Sequence, residues 1–204
     1  MKLFLVNIDE VLKIVDKSAI EKVYSSEKRN IEHNIGRFIT RLIAFKIFNV
    51  DNTEIITNNK KPCFKYLDLQ FSISHSDNII GVLFSGNDEN KEIGLDIEKF
   101  KMRNLNKLSN YFKTEFKTQD DFYKFWTLYE ANFKSRLDDN DNKNELSLKY
   151  NDYYISASYF GKQDFSFYNL TIINEDMIKF DKLGDSSFNK LDLILNEIKD
   201  FVIL

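Results

Sequence analysis

Asp96 and Glu98, separated by one isoleucine in the stretch KEIGLDIEKF (91–100), share one side of any strand they form, because successive strand side chains alternate. Held side by side they repel unless a cation or strong donors stand between them. A hard divalent ion bound by carboxylate oxygens, water and a substrate phosphate is the usual arrangement for Mg²⁺. The pair also reads as two solvated acids on the outer face of an antiparallel strand, balanced by Lys99 and Lys101. In FSISHS (71–76), His75 lies between Ser74 and Ser76 at a strand end, with Asn78 in the following turn. An imidazole, hydroxyls and turn amides there can grip a phosphate or simply close a hairpin. FWTLYEANFK (125–134) spaces Trp126, Glu130 and Lys134 four apart, on one helical face. That spacing suits an acid and a cation acting together, and equally an ordinary surface ion pair beside a core tryptophan.

These side chains need elements to position them. LFLVNI reads as a strand, and residues 18–29 read as a short helix ending in Lys28 and Arg29. Ile31, Ile35, Phe38, Leu42 and Phe45 recur at helical spacing and predict an inward face for a helix over 31–48, with Arg37 and Arg41 on another face. NNKKP predicts a turn, and LQFSISHS and IIGVLFSG predict a hairpin joined at Asp77–Asn78. Thr118 followed three residues later by Asp121 predicts a capping box, ahead of a helix carrying Phe122, Phe125, Trp126, Tyr129 and Phe133. Residues 138–145 read as a solvated loop, YYISASYF and FSFYNLTII as strands, and the end as an amphipathic helix with Leu191, Ile194, Leu195 and Ile198 inward. The two halves look alike at this level. Each opens with a strand ending in acids, passes a short aromatic–polar–Ser/Thr–Glu segment, enters a long aromatic-rich helix and finishes in strands. We therefore expect an α+β fold made of a pseudo-two-fold duplicated unit, each half a small antiparallel sheet on a long helix. The halves would span 1–91 and 92–204, with a ligand site in the cleft between them.

Composition bounds the partners. A chain of 204 residues with 43% hydrophobic residues, 19 Phe and 10 Tyr can build a sizeable core. Its net charge of −3 gives no bulk reason to expect nucleic acid or a membrane surface as a partner. A single cysteine, Cys63, excludes an intrachain disulfide and a cysteine-rich zinc site. The early Asp9 and Glu10 interrupt any signal-peptide core, and no apolar run reaches the roughly 18 residues of a membrane span. The expectation is a soluble, cytoplasmic protein.

In order along the chain, KKPCF, LQFSISHS, IGLDIEKFK and FWTLYEANFK resemble the successive signature blocks of the surfactin-type 4′-phosphopantetheinyl transferases. The resemblance covers about residues 20–134, and four blocks in sequence are more specific than any one. It implies a Mg²⁺-dependent transferase that moves 4′-phosphopantetheine from coenzyme A to a serine of an apo acyl or peptidyl carrier protein, releasing adenosine 3′,5′-bisphosphate. Carried over by position, it implies Asp96, Glu98 and Glu130 as metal ligands. Lys61, Ser74, His75 and Lys134 would meet the coenzyme's phosphates. Lys28 and Arg29 would meet its adenosine 3′-phosphate, assisted by Arg37 or Arg41. Glu130, Lys134 and His75 would carry the catalysis, with Glu130 as base, and the resembled family implies a monomer. Three departures stand out: Tyr129 replaces the lysine before the helical glutamate, Lys60 replaces the glycine before Lys-Pro, and the run from Arg29 to Ile35 is short. They leave room for a degenerate module that binds coenzyme A or a carrier protein without transferring anything. The acids argue for the enzyme, since binding alone would not need metal ligands. A Mg²⁺-dependent nucleotide phosphohydrolase is a third reading, without a Gly-rich phosphate loop of its own.

Overall fold

The computed structural model describes residues 1–15, 20–85, 92–137, 143–161, 164–172 and 178–183. The expected terminal helix over Leu191–Ile198, the boundary near Asn90 and most of the 138–145 loop lie outside the described residues. The elements run β1 (Lys2–Asn7), α1 (Ile8–Val11), α2 (Glu27–Phe48), β2 (Ile55–Asn58), β3 (Lys61–Phe64), β4 (Phe71–Ser76), β5 (Ile79–Phe84) and β6 (Gly94–Lys99). They continue with α3 (Leu105–Phe112), α4 (Gln119–Ser135), β7 (Lys143–Tyr150), β8 (Tyr153–Phe160), β9 (Ser166–Ile172) and β10 (Ile178–Lys182). The fold is mixed α+β. No described helix is long and apolar enough to cross a membrane.

Alternation along the strands sorts the chain into four layers. Phe4 and Val6 of β1 and Ile80, Val82 and Phe84 of β5 face α2, where they bury Ile35, Ile39 and Ile43. Their neighbours Leu3, Leu5 and Leu83 face the other way and pack on Leu95, Ile97, Ile155 and Tyr159 of the second sheet. The far side of that sheet carries Tyr154, stacked on Tyr123 of α4 with ring centroids 4.6 Å apart. The layers are therefore α2, a five-stranded sheet in the order β10-β9-β1-β5-β4, a three-stranded sheet in the order β6-β8-β7, and α4. β2 and β3 form a separate hairpin.

Within the larger sheet, β1, α2 and the β4–β5 hairpin follow one another, and the last strand returns to pair with the first. β6, α4 and the β7–β8 hairpin do the same in the smaller sheet. The chain does not stay in its second half, however. β9 pairs with β1 in parallel and β10 pairs with β9, so segments beyond residue 92 extend the first sheet.

Several local expectations change. The helix expected over 18–29 is instead an irregular approach, held where buried Asn30 accepts from the amides of Val23 (2.8 Å) and Tyr24 (2.6 Å). Lys28 and Arg29 consequently sit in the first turn of α2, whose N-cap is Ser26. Phe38 and Phe45, expected inward, are exposed. α2 carries apolar residues on more than one stripe, and the β-branched stripe Ile35, Ile39, Ile43 is the one the sheet covers. The capping box forms as predicted, with the Asp121 amide on Thr118 Oγ1 at 3.1 Å and the Thr118 amide on Asp121 Oδ2 at 2.8 Å.

α4 lies unusually close to β6 because Gly94 has no side chain. A Cβ there would stand 1.9 Å from the Ala131 carbonyl oxygen and 2.6 Å from the Ser135 amide nitrogen, both backbone atoms of α4. Gly94→Ala should therefore push α4 outward and destabilise the protein by about 1–3 kcal/mol. Urea unfolding followed by the single Trp126, itself on α4, reads this directly, and a change under about 0.5 kcal/mol would refute the close approach. Between the sheets, burial pushes the Tyr159 phenol up to about 12. An unfolded tyrosine ionises near 10, so its contribution is complete below about pH 10 and declines as pH rises toward the folded value. Tyr159→Phe should flatten the fall in urea midpoint over that range.

Candidate functional site

The site begins with the edge of β6 that β8 does not use. Its outward amides would be unpaired, and β4 satisfies them with side chains. Ser72 Oγ accepts from the Leu95 amide at 3.0 Å, Ser74 Oγ from Ile97 at 3.1 Å and Ser76 Oγ from Lys99 at 2.9 Å. Period-two spacing makes this possible, because Ser72, Ser74 and Ser76 share one face of β4 while Phe71, Ile73 and His75 take the other. Two of these hydroxyls then turn their protons to the acids. Ser74 donates to Asp96 Oδ1 at 3.0 Å and Ser76 to Glu98 Oε2 at 3.2 Å.

Lys134 arrives from α4. Its ammonium donates to Asp96 Oδ1 (2.7 Å), the Leu95 carbonyl (3.0 Å) and Ser74 Oγ (3.2 Å). Ser74 thereby accepts from an amide and an ammonium while donating to a carboxylate, which exhausts a hydroxyl's capacity. Asp96 is buried, and its second oxygen, Oδ2, has no hydrogen-bond partner among the described residues. Glu98 takes a second donor from the Trp126 indole at 3.3 Å, so the tryptophan serves the acid as well as the core. Asp96 and Glu98 do face the same way, as expected from their spacing.

Other expected residues stand apart. Glu130 is half-buried and makes no hydrogen bond or ion pair among the described residues. Among those residues no three His, Cys, Asp or Glu side chains gather closely enough to hold a metal, so the expected set of Asp96, Glu98 and Glu130 is not closed. The donors nonetheless fit Mg²⁺. Two hard carboxylates on one face, one with a buried unpaired oxygen, match an ion that takes one or two acids and completes its shell with water and substrate phosphate. Tyr129 is 55% exposed and Phe133 77% exposed, so neither is core; Tyr129 instead stacks beside Trp126 with centroids 5.9 Å apart. Lys61 is held by Glu92 and by the Ile93 carbonyl at 3.2 Å. Lys60 adopts the left-handed conformation (φ 68°), at a position where a glycine would be unstrained.

On the opposite face of β4, His75 meets a residue that sequence reasoning missed. Glu32 of α2 is buried, with Oε2 3.5 Å from His75 Nδ1 and Oε1 3.5 Å from Lys28 Nζ. The one signal for it was its position four residues after Lys28. Burial lowers the His75 pKa most, and Lys134 and Lys28 lower it further, against the opposing pull of Glu32 and Asp96. His75 therefore senses charges from α2, β6 and α4 together. Lys28 and Glu32 border a cavity of about 300 Å³ with Asp77 and Asn78. Arg37 and Arg41 line a separate one of about 440 Å³ with His33 and Phe38. Arg37 is tied to Thr57 Oγ1 at 2.8 Å and Arg41 to Thr53 Oγ1 at 3.4 Å. Arg29 is exposed on the first turn of α2.

No protein-family model matches the chain, and no curated protein gives a significant match.

Ser74→Ala tests the construction of the site. It leaves the Ile97 amide and Asp96 Oδ1 each one partner short in a buried place and should cost about 1–3 kcal/mol. Urea denaturation measures it, and a neutral result would mean that the serine bridge contributes nothing to the seam.

Proposed function

We propose that the protein is a Mg²⁺-dependent transferase that moves 4′-phosphopantetheine from coenzyme A onto a serine hydroxyl of an acyl or peptidyl carrier protein. The observation that carries this reading is the convergence of Ser74 from β4 and Lys134 from α4 on the buried carboxylate of Asp96 in β6, whose second oxygen has no partner among the described residues. The repeated strand–helix–hairpin connectivity supports a duplicated unit of the kind the four sequence blocks imply, with the site at the seam between its halves.

In this reading the carrier serine oxygen attacks the phosphorus that bears pantetheine. A new P–O bond forms, the pyrophosphate bridge breaks, and adenosine 3′,5′-bisphosphate leaves. Asp96 and Glu98 would hold Mg²⁺, which when bound neutralises charge on the pyrophosphate. Lys134 lies beside Asp96 and offers an ammonium to the oxygens that gain charge, the main lever in phosphoryl transfer. Glu130 stands one helical turn before Lys134 and is unengaged among the described residues, so its carboxylate can take the serine proton. The sequence resemblance gives His75 and Lys28 to the coenzyme's phosphates, and Glu32 stands 3.5 Å from each.

One observation favours the alternative of a module that binds without transferring. Lys61 and Lys134 are both already ion-paired, to Glu92 and Asp96, and Tyr129 brings no charge to replace them. Intact-mass spectrometry of a panel of apo carrier proteins with coenzyme A and Mg²⁺ separates the two. The transferase adds one phosphopantetheine, Asp96→Ala abolishes the gain, and Lys134→Ala slows it on the order of 10²-fold. Coenzyme A binding by calorimetry without any mass gain selects the binding module. Phosphate release from nucleotides without a carrier selects the hydrolase.

A further inference from the structure

We propose that Glu32 is a positioning residue for His75, holding the imidazole with its proton on Nδ1 so that Nε2 is presented as the free nitrogen. A buried carboxylate persists only when paired. Among the described residues the ionic neighbours of Glu32 are Lys28 and His75, both of which the sequence resemblance assigns to the coenzyme's phosphates. With the Glu32 side chain only 6% exposed and the His75 side chain 45% exposed, the acid is the interior partner and the ring the outward one. A carboxylate facing one ring nitrogen selects the tautomer that carries its proton there, as it does for histidines that act on ligands. Nε2 has no hydrogen-bond partner among the described residues, so it remains available.

The charges around the ring come from every neighbouring element: Glu32 and Lys28 on α2, Lys134 on α4 and Asp96 on β6. Burial and the two lysines outweigh the acids and keep the ring neutral at neutral pH, where the choice of tautomer decides what His75 can do. With the proton on Nδ1, Nε2 accepts. It becomes a donor to phosphate only by taking up a proton when the anion arrives.

The functional consequence rests on the transferase reading above, whereas the tautomer does not. Two-bond ¹H–¹⁵N correlation spectra of the full chain at neutral pH, assigned with His75→Gln, read the tautomer directly. The expected result is Nδ1–H for His75, kept in Glu32→Gln, whose amide oxygen still accepts, and shifted to Nε2–H in Glu32→Leu. If the leucine variant fails to fold, the wild-type tautomer decides alone, and Nε2–H there overturns the proposal. So does an unchanged tautomer in a folded Glu32→Leu. In the transfer assay Glu32→Leu should raise KM for coenzyme A about ten-fold with kcat little changed, and Glu32→Gln should restore most of it. Wild-type Nδ1–H without any transfer to any carrier would count against the transferase and leave the positioning role standing.

Discussion

Three serine hydroxyls on β4 complete the hydrogen bonding of β6, and the rest of the molecule depends on that join. An edge strand normally pairs through a neighbouring backbone or stays in water. Here the outward amides of Leu95, Ile97 and Lys99 are satisfied by Ser72, Ser74 and Ser76. Side-chain pairing lets the two sheets stack face to face through Leu83, Leu95, Ile97 and Ile155 while their edges remain joined. Hydroxyls, unlike peptide carbonyls, also have a proton to give. The bonds that close the edge therefore orient Asp96 and Glu98 as well.

Charge is concentrated along this seam and arranged in opposed pairs. Asp96 faces Lys134, Glu92 faces Lys61, and Glu32 faces Lys28, with the His75 ring beside its other oxygen. Asp96 and Lys134 come from different elements, Glu92 precedes β6 and meets Lys61 of β3, and Lys28 and Glu32 share α2. In each pair one side chain is largely buried, and removing its more exposed partner leaves that charge uncompensated, which costs more than the pair contributes. Such pairs are therefore better understood as devices for placing charge than as sources of stability. α4 supplies Lys134 at the required height because Gly94 admits its backbone. Thr127 and Ser135 then bond Ser156 and Ser158 of β8, at 2.7 Å and 3.1 Å, and fix the helix from its buried side.

The sequence by itself determined what is local. The β4–β5 hairpin, the Thr118–Asp121 capping box, the common face of Asp96 and Glu98 and the helical neighbours Glu130 and Lys134 follow from spacing, because periods of 2 and 3.6 are set by backbone geometry alone. Only the tertiary structure decided which of those faces are covered. α2 buries Ile39 and Ile43 and exposes Phe38 and Phe45, although both stripes are apolar, because a sheet packs on one and solvent meets the other. Tyr129 and Phe133 continue the stripe of Phe122, yet the sheet covers a different face of α4, the one that carries Tyr123, Thr127, Ala131 and Ser135. The pairing of β9 with β1 and the meeting of Glu32 with His75 join residues 164 and 43 positions apart at the first matched pair and at the contact. Nothing local encodes such meetings; they are fixed when two sheets and two helices must share one interior and every buried polar group must find a partner.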